Sequence, residues 1–144
     1  MLDLYGESEL RACIELFYFA YRAFTARPDH ILERRGLARV HHRILYFVGR
    51  NPSITVNSLL ATLRVSKQAL NAPLRQLLEM GLIAASIPDD DRRVRQLTLT
   101  AEGRRLEAQL TATQMKHLAQ SFAAAGDEAA SQWRRVMREV SGRS

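Results

Sequence analysis

Ser66-Lys67-Gln68-Ala69-Leu70-Asn71-Ala72-Pro73-Leu74-Arg75-Gln76-Leu77-Leu78-Glu79-Met80-Gly81 is the stretch that decides how this chain is read. Leu70, Pro73, Leu74, Leu77 and Leu78 recur at steps of three and four, so they share one face of a helix. Gln68, Asn71, Ala72, Arg75 and Glu79 fall on the opposite face, with Lys67 at its edge. Ser66 is a suitable N-cap and Gly81 a suitable stop, which bounds a helix over 67–80. Groups that can read base edges thus stand opposite a leucine face. Arg pairs bidentately with guanine and Asn or Gln with adenine, each worth about 1–3 kcal/mol of discrimination. Ser66 and the free amides of the first turn suit a phosphate, because that helix end is partly positive. Every surface helix has a solvated polar face, so this one gains meaning only from its surroundings. Pro73 removes one helical hydrogen bond at a cost of roughly 3 kcal/mol. A kink near 69–72 would accommodate it, and so would a later helix start.

Upstream, Thr55 can cap a short helix over Val56–Leu63, with Leu59, Leu60 and Leu63 facing inward. The turn Arg64-Val65 then separates it from Ser66, which is the arithmetic of a helix-turn-helix. Val40–Val48 is a preceding helical run, closed by Gly49 and Asn51-Pro52. Downstream of Gly81 the periodicity changes. Leu82–Ile87 is a strand candidate, and Val94–Thr100 alternates as a second strand. Pro88-Asp89-Asp90-Asp91-Arg92-Arg93 lies between them as a charged turn, and the hairpin makes a wing. Arg92, Arg93 and Arg95 on a thin hairpin suit a narrow minor groove, where negative potential is enhanced. Asp91 would pair with one arginine and fix the loop; for such a loop in isolation, mutual pairing in solvent is the plainer reading.

Towards the ends, Ser8 to about Ala26 reads as a helix, capped by Ser8 and ended by Pro28. Its centre, from Ala12 to Tyr21, is apolar on nearly every side, so it should be covered on more than one face. In a small chain a second subunit is the natural cover. Thr100 can cap a long helix to about Ala125, and Gly126-Asp127 breaks it. Glu128–Val140 forms a last helix carrying Trp133, Val136, Met137 and Val140. The expected fold is mainly α with a small β-wing, a winged helix-turn-helix over about 38–100 within a single 144-residue domain. Helices at about 8–35 and 104–144 flank it and are read as dimerisation elements.

The chain's 21 Lys and Arg against 15 Asp and Glu give a net charge of +6, which favours a polyanionic partner. Its apolar share of 47% is enough for a packed core. The lone Cys13 rules out an intrachain disulfide framework and a cysteine-based zinc site, and fits a reducing cytoplasm. No signal peptide is read at the N-terminus, where Asp3, Glu7 and Glu9 replace a basic segment. The most apolar run, Ala12–Phe24, is shorter than the roughly 20 residues of a membrane span.

The wing segment Asp91-Arg92-Arg93-Val94-Arg95-Gln96-Leu97-Thr98-Leu99-Thr100, followed by Gly103, resembles the MarR family of bacterial transcriptional regulators. It follows that family's pattern D-x-R, five residues, L-T, two residues, G. Leu77-Leu78-Glu79-Met80-Gly81-Leu82-Ile83 is similar to the family's passage from recognition helix to first wing strand. The resemblance covers nearly the whole chain. It implies a homodimer whose terminal helices interlock, each subunit presenting one winged helix to a pseudo-palindromic operator. On this chain it implies Ser66, Gln68, Asn71 and Arg75 on the major-groove face, and Asp91 and Arg93 as a structural wing pair or wing-tip contact. Pro73 departs from the regular helix the family usually keeps.

Family resemblance also implies a small-molecule effector in a cleft between the dimer helices and the winged region. Phe17, Tyr21, His41, His42, Tyr46 and Phe47 are the candidates here, although aromatics at helical spacing read first as core. His41 and His42 point about 100° apart on a helix, which makes them poor joint ligands, so no metal is expected. A first-helix cysteine such as Cys13 resembles the peroxide-sensing branch of the family; a buried, inert thiol is the preferred reading. No Gly-rich phosphate loop, H-E-x-x-H motif or activated nucleophile is present, so neither an enzyme nor a cofactor is expected. The rival to operator binding is a winged helix used for assembly or RNA contact, without sequence specificity.

Overall fold

The computed structural model describes residues 5–88 and 94–143. In chain order it contains α1 (Glu7–Glu33), α2 (Arg39–Arg50), β1 (Ile54–Thr55), α3 (Val56–Leu63) and α4 (Lys67–Glu79). There follow β2 (Ile83–Ser86), β3 (Gln96–Leu99), α5 (Ala101–Ala125) and α6 (Ala129–Ser141). The strands form an antiparallel sheet in the order β1-β3-β2, with Ile83 opposite Leu99 and Ile54 opposite Leu97. The chain is mainly helical with a small wing.

Four helix starts follow from a capping side chain or its lack. Thr55, Ser66 and Thr100 each accept from the amide three residues on, at 3.1, 3.1 and 3.0 Å, as their positions before apolar-periodic runs predict. The first helix begins elsewhere than expected, because Gly6 and not Ser8 stands at its N-cap. Pro28 does not end that helix either. It lies inside α1, where its ring is buried in the chain's interior; the helix accepts one missing hydrogen bond there and continues to Glu33. Pro73 likewise lies inside α4, whose start at Ser66 excludes the later-start alternative.

One core cluster joins α2, α3, α4, the sheet and α5. Ile44, Leu45 and Val48 of α2 pack with Leu59, with Leu70, Leu74 and Leu77 of α4, and with Leu82, Leu97, Leu106 and Leu110. Burying each leucine contributes roughly 1.5–3 kcal/mol, so α4's apolar face holds the helix firmly. At its end, Leu82 N–H reaches back to the Leu77 carbonyl (3.0 Å), and Thr100 Oγ1 donates to the Gly81 carbonyl (2.6 Å). Gly103, in the first turn of α5, sits against the Leu82 carbonyl: a Cβ there would lie 1.9 Å from that oxygen. The strand β1 has no counterpart in the sequence reading, since two residues carry no alternation to read.

The terminal helices differ from the rest. Within α1 only Thr25, Pro28 and Leu32 are buried, and α6 buries nothing. Ile14, Leu16, Phe17, Tyr18 and Phe19 stand exposed along α1, and Trp133, Val136 and Val140 along α6.

Candidate nucleic-acid interface

Helices α3 and α4 meet through Arg64, Val65 and Ser66. Arg64 closes α3 in the left-handed region (φ 54°, ψ 46°), and Ser66 opens α4 in an extended conformation. With Leu70, Leu74 and Leu77 turned into the core, Lys67, Gln68, Asn71, Arg75 and Glu79 are all exposed. None of these five makes a side-chain hydrogen bond or ion pair to another described residue. Ser66 Oγ accepts from Ala69 N–H, leaving the first two amides of α4 without helical partners.

The sheet places the wing beside this unit. Val56 N–H donates to the Arg95 carbonyl (3.3 Å), so β3 is tied to the first turn of α3, and the Arg95 side chain is exposed. Asp91, Arg92 and Arg93 lie outside the described residues, so the expectations for them stand only as proposals.

The opposite flank of α4 is held by a polar node. Ala38 N–H donates to His41 Nδ1 (2.9 Å), which leaves the proton on Nε2, facing Gln76 Oε1 at 2.9 Å. Gln76 Nε2 in turn donates to the Gly36 carbonyl (3.3 Å). His41 therefore braces α4 and is no part of the cleft to which the family resemblance would assign it.

That cleft, about 350 Å³, lies between α1, α2 and α5. Tyr21, His42, Tyr46 and Phe47 line it; Phe17 does not, being exposed one turn nearer the N-terminus of α1. Sequence reading missed Asp29, Arg39 and Arg43. Arg39 binds Asp29 with Nε at 2.9 Å and a terminal nitrogen at 2.8 Å, and lies 5.3 Å over the Tyr21 ring. Arg43 donates to the Tyr21 hydroxyl (2.9 Å). An Asp and an Arg ten positions apart in different helices leave no periodic signal. On the α5 side, Thr111 Oγ1 donates to Glu107 and lies 3.2 Å from His42 Nε2, so its oxygen accepts a hydrogen bond from that ring's N–H. Burial pushes the His42 imidazole below its ordinary value, with Arg43 adding to the shift and Glu107 and Asp29 opposing it.

Cys13 is exposed on α1 and is not buried within the chain as the sequence reading prefers. Among the described residues no group of three or more His, Cys, Asp or Glu side chains could hold a metal, and no helix is long and apolar enough to cross a membrane.

Residues 35–94 match the MarR family model, a span that holds the polar node, the helix-turn-helix and the first wing strand. The chain is 40% identical over 131 residues to the HTH-type transcriptional regulator PetP of Rhodobacter capsulatus, covering 91% of this chain and 79% of that protein. The chain belongs to the MarR family. As a MarR-family chain it is a transcriptional regulator and not an enzyme, and solved structures share its fold. NadR in complex with 4-hydroxyphenylacetate superposes with a TM-score of 0.72 at 21% identity, over 86% of this chain and 88% of that one. A mutant of S. aureus MepR bound to an oligodeoxyribonucleotide gives 0.63 at 18%, over 89% and 95%.

Proposed function

We propose that this MarR-family chain is a sequence-specific, cytoplasmic DNA-binding repressor. It acts as a homodimer on a pseudo-palindromic operator and is released by a small molecule held in the cleft. The observation that carries the reading is the outer face of α4: Lys67, Gln68, Asn71 and Arg75 project from a helix whose other face is locked into the core. Ser66 and the free amides behind it supply a phosphate contact, and Arg95 extends the basic surface onto the wing. Asp91, Arg92 and Arg93 complete that wing on the family pattern. MepR, a structural neighbour, is seen on an oligodeoxyribonucleotide, which supports the same use of the fold. Homodimerisation through α1, α5 and α6 is supported by the apolar residues these helices leave uncovered. The cleft reading is supported by its polar and aromatic lining and by the ligand in NadR.

Selection of bound duplexes from a random pool tests this directly. The expected product is an inverted repeat with half-sites about 10 bp apart, one helical turn. A folded chain that enriches no sequence, yet binds duplex or RNA indifferently, would favour the assembly or RNA-contact role instead.

A further inference from the structure

The turn that closes α1 makes a second basic surface beside the recognition helix. Leu37 N–H donates to the Leu32 carbonyl (2.9 Å) and Gly36 N–H to the Glu33 carbonyl (3.1 Å), with Gly36 at φ +69°. This is a Schellman closure, and its usual apolar contact is supplied by Leu32 and Leu37, both buried. Two buried leucines therefore pin the turn from either side. The residues between them, Arg34 and Arg35, are left exposed, and neither forms an ion pair with another described residue.

Gln76 fastens this turn to α4 through the Gly36 carbonyl, and His41 holds Gln76 in place. Gln76 follows Arg75, about 100° further round the helix, so the turn sits on the flank of the base-reading face and not behind it. From Ser66 to Gln76 the helix rises about 15 Å, at about 1.5 Å per residue. The major groove is about 12 Å wide, so a helix entering it by its N-terminal end brings this flank to the phosphates at the groove's edge. A helix C-terminus favours cations in any protein. That preference does not account for a side-chain bond from the recognition helix holding the turn beside it.

We infer that Arg34 and Arg35 contact DNA phosphates flanking the half-site read by α4, with Gln76 as the positioning residue that sets the turn against the helix. The inference rests on the DNA-binding reading above. These contacts fix the pose of the protein and carry no base specificity.

The test uses the full chain, its selected operator and an unrelated duplex, with affinity measured across a salt series. In Arg34→Gln/Arg35→Gln the slope of log affinity against log salt should flatten by about 0.9 for each phosphate no longer neutralised, about 1.8 per half-site. Binding should weaken on both duplexes, with their affinity ratio preserved. Gln76→Leu, with its melting temperature checked, should reproduce part of that flattening while both arginines remain. An unchanged slope in the double variant, beside normal binding by the parent chain, overturns this inference alone. Failure of the parent chain to bind any duplex removes the DNA-binding reading as well.

Discussion

Gly103 and His42 show how much a single position decides. The first turn of α5 approaches the Leu82 carbonyl so closely that any Cβ at 103 would overlap backbone. Gly103→Ala should therefore lower stability by about 3 kcal/mol, seen as a drop in the urea midpoint with little change in slope. His42 makes the fold sensitive to acid. Its native imidazole is held below the ordinary value of 6.5, so the unfolded chain binds the proton more readily. The stability this provides is complete above pH 6.5 and is lost as the pH falls through the native value. Unfolding midpoints at pH 7.5 and 5.5 should differ in that direction, and His42→Asn should shrink the difference. Gly103 is legible in the sequence, because the family pattern carries a glycine there. The relay from His42 through Thr111 to Glu107 is not: residues 69 positions apart meet only after α2 packs on α5.

At the scale of elements, chemistry that lies next to itself in sequence is readable and chemistry that depends on distant partners is not. Helices α3, α4 and α5 start where Thr55, Ser66 and Thr100 predict, because a cap hydrogen bond spans three residues. Pro28 misleads because a proline's local cost says nothing of the burial that offsets it. The cleft's Asp29 and Arg39 are invisible for the same reason. Pro73 gives the matching experiment. Pro73→Ala should restore a helical bond worth about 3 kcal/mol, less roughly 1 kcal/mol from the greater freedom of the unfolded chain. A net rise near 2 kcal/mol is expected by chemical denaturation. An unchanged or lower stability would mean that the half-buried ring packs better than its absence allows.

For the whole molecule, the uncovered length of α1 sets the terms. The apolar run in the sequence asks for a cover over this helix, and the chain's own core leaves it bare: Ile14 is 68% and Leu16 66% exposed. Leu16→Asp should separate the proposed dimer, giving a monomer by sedimentation and abolishing operator binding while leaving the isolated chain's helix content largely intact. In the proposed dimer, covering this bare helix adds to the stability of the folded chain by mass action. Melting temperature should then climb with total protein, and dilution alone should loosen the regulator. In a cell the proposed dimer would tie occupancy of its proposed operator to the square of subunit abundance at low copy number. For the proposed repressor, a modest fall in synthesis would then empty the operator more sharply than proportion suggests, with no effector involved.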